Sequence, residues 1–143
     1  MSSVPSTFRT RIAGWATAAA MLLAASPLVA MAQAASATQS SVDRGVTVKV
    51  TLKAIGSSDS RWEFSVVLDT HSADLSDDLV QSTTLTTDDG RTLKPVGWTG
   101  AAPGGHHRAG VLAFDVPAPR PAKIELRIVR PGESAPRIFR WQL

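Results

Sequence analysis

Strict period-two alternation limits the fold of this chain more than any other feature. Across residues 45–55, Val46, Val48, Val50 and Leu52 fall on one side, and Thr47, Lys49, Thr51 and Lys53 on the other. Successive side chains of a strand point to opposite faces, so this is a strand with one dry and one wet face. The same phase recurs at 61–69 (Trp62, Phe64, Val66, Leu68), 110–116 (Leu112, Phe114, Val116) and 137–143 (Phe139, Trp141, Leu143). At 123–130 Ile124, Leu126 and Ile128 point inward, with Lys123, Glu125 and Arg127 outward. Weaker strands are expected at 79–86 and 91–98, joined through Asp88-Asp89-Gly90, because an Asp-Gly pair between two such runs marks a hairpin.

Punctuation between these runs narrows the architecture. Residues 56–60 and the pair Pro131-Gly132 are turns, and the proline-rich stretch 117–121 is a stiff crossing between sheets or edges. About seven short strands with no convincing helix predict an all-β fold, an immunoglobulin-like antiparallel sandwich, with a small barrel as competitor. The Cys…Trp…Cys mark of antibody domains is missing, since the chain has no Cys, and Trp62 is the candidate for the central tryptophan. No repeat of propeller or solenoid length is present.

The N-terminus has the three-part layout of a secretory signal peptide. Arg9 and Arg11 supply the positive region, residues 12–25 the apolar run, and Pro27 a break followed by small residues. The apolar run is too short for a hydrocarbon core of about 30 Å. Cleavage after Ala34 fits the A-x-A rule through Ala32 and Ala34, and cuts after Ala32 or Ala37 fit as well. An uncleaved signal anchor is the alternative, against which Pro27 and the alanine-rich stretch argue. The arginines are not consecutive, so a twin-arginine signal is not indicated, and the lack of Cys excludes a bacterial-type lipid anchor on an N-terminal Cys. The expected organisation is a signal peptide at 1–34, a flexible leader of small polar residues at 35–44, and a β-sandwich domain at 45–143. The mature chain is expected in the periplasm or secreted, with no integral membrane span after cleavage. Without disulfides it must be held by core burial alone.

Charge counts mislead at first sight. The 143 residues carry 15 Lys and Arg against 12 Asp and Glu, a formal +3, and the isoelectric point is about 10.0. With neither Cys nor Tyr, little titrates between His and Lys, so a small excess lifts the isoelectric point far. Losing Arg9 and Arg11 with the signal leaves 13 bases against 12 acids. The asymmetry along the chain is more informative: residues 69–89 hold six acids and no Lys or Arg, while 120–140 hold six bases and two acids. Lys123, Arg127 and Arg137 alternate with apolar residues and read as a solvated sheet face, or else as a basic face for an envelope polysaccharide or lipid headgroup. Nucleic acid is not an expected partner, because no aromatic row interleaves these bases.

Strand parity gathers the unusual loops. In an antiparallel sandwich alternate connections lie at one end, which groups residues 70–78, 98–109 and 131–136. The first two carry His71, Asp74, Asp77 and Asp78, then Trp98, His106, His107 and Arg108, so all three histidines share one end. Binding residues concentrate on such loops. One reading is a divalent-metal site built from His71, His106 or His107, Asp69 and Asp74. With no Cys, and all three Met within the signal, Zn or Cu(II) fits better than Cu(I). Neighbouring residues point to opposite sides, so His106 and His107 would not share an ion. The competing reading is a loop-pinning network: His71 capping a turn with Asp69, Arg108 pairing with the acidic loop, and a buried His bonding a carbonyl. The acidic run lacks EF-hand spacing. Gly104-Gly105 leads into no helix and is a tight turn beside Trp98 rather than a phosphate loop.

Catalysis has little support: no Cys nucleophile exists, no Ser sits in a G-x-S-x-G elbow, and the closeness of Asp69, His71 and Ser72 means little, since Asp, His and Ser can be picked from any sequence. The expected function is therefore a non-catalytic binding or interaction domain without a cofactor. Its contact end would be loops 70–78 and 98–109, with Trp98, Arg108, Asp77 and Asp78, and its partner an envelope protein or anionic glycan. The alternative is a periplasmic divalent-metal-binding protein using His71 with His106 or His107.

Segments 64–79 (FSVVLDTHSADLSDDL) and 90–114 (containing GWTG, GGHHR and AGVLAF) resemble small exported prokaryotic β-sandwich proteins of unassigned function sharing an LDTHS…GGHHR-x-G-x-L-x-F pattern. Its most specific piece is 104–108. The resemblance implies an extracytoplasmic sandwich and assigns no residue roles.

Overall fold

The computed structural model describes residues 37–53, 55 and 58–143, so the expected signal peptide at 1–34 lies outside the described residues. Two antiparallel sheets face each other. The first runs in the order β1 (Thr38–Asp43), β2 (Val46–Leu52), β3 (Arg61–Thr70), β7 (His107–Asp115), β6 (Gly97–Gly100). The second runs β5 (Thr92–Leu93), β4 (Thr83–Thr87), β8 (Lys123–Ile128), β9 (Arg137–Gln142). One helical turn, α1 (Leu79–Ser82), precedes β4. No helix among the described residues is long and apolar enough to cross a membrane.

The alternating apolar positions meet between the sheets. Val46, Val48 and Val50, Trp62 to Leu68 in steps of two, and Leu112 and Phe114 come from the first sheet; Leu85, Ile124, Leu126, Ile128, Phe139 and Trp141 come from the second. Phe64 joins the two layers, edge-on to Phe114 at 5.5 Å and tilted against Trp141 at 5.4 Å. Trp62 is buried as well, but the aromatic contacts converge on Phe64. Burying a side chain of this size contributes roughly 1.5–3 kcal/mol, so loss of any one of these rings would be felt across the core.

Four segments depart from the sequence reading. Residues 38–43, expected as part of a flexible leader, form an edge strand paired to β2 from Thr38↔Thr51 to Asp43↔Val46. A two-residue turn makes this possible: Arg44 and Gly45 both take positive φ, 47° and 75°, which matches the twist of a tight hairpin. The stretch TQSSVD buries almost no side chain; main-chain pairing makes the strand, and hydropathy does not report it. The second departure is α1, which begins the expected strand 79–86 as a helical turn because Asp78 caps it, accepting from the Val80 and Gln81 amides at 3.1 Å each. Third, the expected strand 91–98 divides at Pro95 into β5 in one sheet and β6 in the other. Both pieces travel toward the same end, so the parity of the later loops is unchanged. Fourth, β7 begins at His107 rather than near Gly110, which shortens the expected loop 98–109 to 101–106.

Candidate functional site at the loop end

The three loops grouped by parity do meet. Leu75 N–H donates to Gly105 O at 3.1 Å and Gly104 N–H to Leu75 O at 2.9 Å, so loops 70–78 and 101–106 bond in both directions. Thr70 N–H donates to His106 O at 2.9 Å, and Asp74 Oδ1 accepts from Gly105 N–H at 2.8 Å. Gly104 and Gly105 have φ of 117° and 75°, a region L side chains rarely enter, which explains the glycine pair. The pair sits beside Asp74 rather than Trp98. The glycines against Trp98 are Gly100 and Gly110, where an added Cβ would run into the facing backbone or the indole. Thr70 ties the hairpin turn to the same end: its hydroxyl donates to Gly45 O at 3.0 Å and accepts from the Ser72 and Ala73 amides.

Beneath these loops lies a layer of buried arginines. Arg108, Arg130 and Arg137 are 2%, 6% and 4% exposed. Each continues the inward phase of its strand: Arg108 follows Phe114, Leu112 and Gly110 back along β7, Arg130 follows Ile124, Leu126 and Ile128, and Arg137 precedes Phe139 and Trp141. The arginines therefore close the core where the sheets end. Arg130 Nε and Nη2 donate to Asp77 Oδ2 at 3.0 and 2.9 Å, and its Nη1 donates to Glu133 Oε1 at 3.0 Å. Arg137 grips Glu133 with Nε and Nη2, both at 2.7 Å, and reaches Ser41 Oγ at 3.1 Å and Asp43 O at 2.9 Å. Arg108 pairs with no carboxylate among the described residues. It donates to the carbonyls of Asp77, Leu75 and Ala101, and its guanidinium stands 5.2 Å from the Trp98 ring centroid, a cation–π distance. Trp98 Nε1 donates to the same Ala101 carbonyl at 3.0 Å.

Electrostatics follow from this packing. The Arg137 guanidinium holds the Glu133 carboxyl below its ordinary pKa against the upward push of burial, with Arg130 adding to the effect. Glu133 in turn raises Arg137, again against burial. Charged groups withdrawn from water persist only when paired and hydrogen-bonded, and this layer meets that condition with carboxylates at two arginines and carbonyls at the third.

The expected site residues separate accordingly. Asp77 and Arg108, expected as contact residues, are buried and structural, and Asp78 caps α1. Trp98 is half-buried against Arg108. His71 does not cap a turn with Asp69; His107 takes that carboxylate, Nδ1 to Oδ1 at 2.5 Å, because the two stand opposite each other in β7 and β3. No histidine is buried: His71, His106 and His107 are all exposed. Among the described residues no group of three or more His, Asp or Glu side chains could hold a metal ion, so the set expected for Zn or Cu(II), His71, His106 or His107, Asp69 and Asp74, is not assembled. Strand geometry explains this: His107 and Asp69 are paired on the outer face of the sheet, while Asp74 is committed to the Gly105 amide. Arg137, expected on a solvated face, is inside. Arg130 and Glu133 were not anticipated as site residues, and the available signal was phase, since positions 130 and 137 keep step with the core residues of their strands.

What this end offers chemically is a fixed polar surface. His71, Ser72, Ser76 and His106 are exposed above the cross-bonded loops, beside a hollow of about 210 Å³ lined in part by Arg44, Asp74, Ser76 and Glu133. Comparison with known protein families, curated proteins and solved structures returns no match.

Proposed function

We propose that this chain is an exported, non-catalytic binding domain of the periplasm or cell exterior that presents loops 70–78 and 101–106 to an envelope protein. The observation that carries this reading is the two-way bonding of Leu75 with Gly104 and Gly105 above the arginine layer. Loops ordered before a partner arrives lose little further entropy on binding, and rigid elements present contact groups more sharply than mobile ones. The carboxylates of Asp69, paired with the exposed His107, and of the exposed Asp74 favour a protein over an anionic glycan at this end. The export half of the proposal rests on the Arg9/Arg11 region, the apolar run 12–25 and the small residues up to Ala34.

An immunoglobulin-like type is supported by strand order. The run β2-β3-β7-β6 corresponds to strands ABED of that fold, and β4-β8-β9 to CFG, with β1 and β5 as additions. The resemblance of 64–79 and 90–114 to small exported β-sandwich proteins agrees with this reading.

The test is retrieval of envelope partners by the folded chain, against a variant carrying His71→Ala, Ser76→Arg and His106→Ala. These positions are exposed, so the fold should persist. The wild type should retain a partner that the variant loses, and an unchanged partner set overturns the proposal. Fusion of residues 1–37 to a reporter active only outside the cytoplasm tests export separately.

A further inference from the structure

The outer face of the second sheet carries an arrangement that the loop end does not explain. Lys123, Glu125 and Arg127 share the outward side of β8, and Arg140 of β9 stands directly across from Glu125. Glu125 engages both arginines: Oε1 accepts from Arg127 Nε at 2.5 Å, and Oε2 lies 2.6 Å from Arg140 Nε. Each guanidinium is thus held through its Nε. Among the described residues, no hydrogen bond runs from the terminal Nη groups of Arg127 and Arg140. Burial pushes the Glu125 carboxyl up, but Arg127 and Arg140 outweigh that and hold it below its ordinary value. The anchor therefore stays ionised.

Around this clamp runs a groove of about 570 Å³, lined also by Thr86 and Gln142 and by the buried Ile124 and Trp141. Asp88 at its rim is engaged as a cap, accepting from the Ala122 amide at 3.3 Å. Lys123 and Arg127 are four residues apart on one strand, a span of about 13 Å.

We propose that this groove binds an acidic polysaccharide, the Nη groups of Arg127 and Arg140 receiving one sugar carboxylate and Lys123 another. A guanidinium with a free edge is the side chain best shaped for a carboxylate. Cations spread over about 13 Å suit a polymer with repeated charges better than a single small anion. The hydroxyl of Thr86 and the amide of Gln142 suit sugar hydroxyls. No exposed large apolar side chain lines the groove, although a membrane-surface site uses such residues beside its cations. Glu125 is a positioning residue here: it cancels a charge, yet fixes both forks. This site is independent of the loop end and can fail without it.

The test is calorimetric titration of the folded chain with hexagalacturonate, with neutral maltohexaose and with phosphatidylglycerol vesicles. Saturable binding to hexagalacturonate alone is expected. Arg127→Gln with Arg140→Gln should weaken it about tenfold or more, as for the loss of charge-assisted hydrogen bonds. A control removing the same charge elsewhere, Lys49→Gln with Arg61→Gln, should leave it unchanged. Glu125→Gln separates positioning from simple attraction. It raises the net charge by one, and the expected outcome is nonetheless a several-fold weaker complex, with an unaltered far-ultraviolet circular dichroism spectrum showing the fold intact. Tighter binding by Glu125→Gln, an equal loss in the control, a preference for vesicles, or no saturable binding by the wild type would each overturn the proposal.

Discussion

Arg130 and Asp77 are sealed together at the loop end, 53 residues apart in the chain. Two guanidinium donors meet one carboxylate oxygen at 3.0 and 2.9 Å, and the side chains are only 5% and 2% exposed. Against an apolar pair of the same shape such a contact stabilises little, because both charges are taken from water. Its consequence is positional: it fixes where loop 70–78 stands relative to the end of β8, and so fixes the surface above.

Breaking that pair should therefore cost far more than forming it contributed. Asp77→Ala leaves Arg130 with Glu133 alone and is expected to destabilise by about 3–5 kcal/mol. Asp78→Ala, which removes only the cap of α1, should cost about 0.5–2 kcal/mol. Urea unfolding of both variants checks the contrast, and equal losses would mean that the pair is not the anchor.

Acid should loosen the same end through Glu133. Its folded pKa is depressed, so its contribution is fully present above the ordinary glutamate value of 4.5 and is lost as pH falls through the lowered value. Glu133→Gln should lower stability near neutrality while flattening its fall below about pH 4.5. Unfolding midpoints of wild type and variant between pH 6 and pH 3 report this, and parallel curves would exclude Glu133 as a source of the acid response.

Close approach of β6 and β7 depends on two glycines. A Cβ at Gly110 would meet the Trp98 indole and Thr99 O. Gly110→Ala is expected to cost about 1–3 kcal/mol, as overpacking does, and to shift tryptophan emission by moving Trp98 off Arg108. Gly97→Ala, with open space at that position, is the control and should leave emission unchanged.

Strand β1 also guards an edge. The Gln39 side chain donates to Arg140 O at 2.5 Å and accepts from Arg140 N–H at 3.1 Å, occupying main-chain groups that the outer edge of β9 would otherwise present. Trp141 Nε1 donates to Ala37 O at 3.1 Å alongside. Gln39→Ala should cost about 1 kcal/mol, and a chain starting at Arg44 should self-associate with rising concentration, since free strand edges template pairing. Sedimentation velocity reads the second outcome, and a monomer at all concentrations would refute it.

How much was legible in the sequence depends on whether a feature is local. Alternation placed Val46 to Val50, Phe64 to Leu68 and Ile124 to Ile128 inside, and turn chemistry placed Gly90 and Gly132, because each reports the geometry of its own few residues. Parity grouped loops 70–78, 98–109 and 131–136 correctly even though one strand divides at Pro95, since both halves keep one direction.

Tertiary structure decided the rest, and for one physical reason. Whether a charged side chain can be buried depends on partners supplied from elsewhere in the chain. Arg137 keeps the phase of Phe139 and Trp141, yet only Glu133, Ser41 and the Asp43 carbonyl, gathered around it, make its burial tolerable. The same holds for β1, whose residues show no apolar face of their own and become a strand because β2 and β9 offer them main-chain partners. Periodicity in this sequence set which way each side chain points; the packed end of the sandwich determined which of the charged ones stay inside.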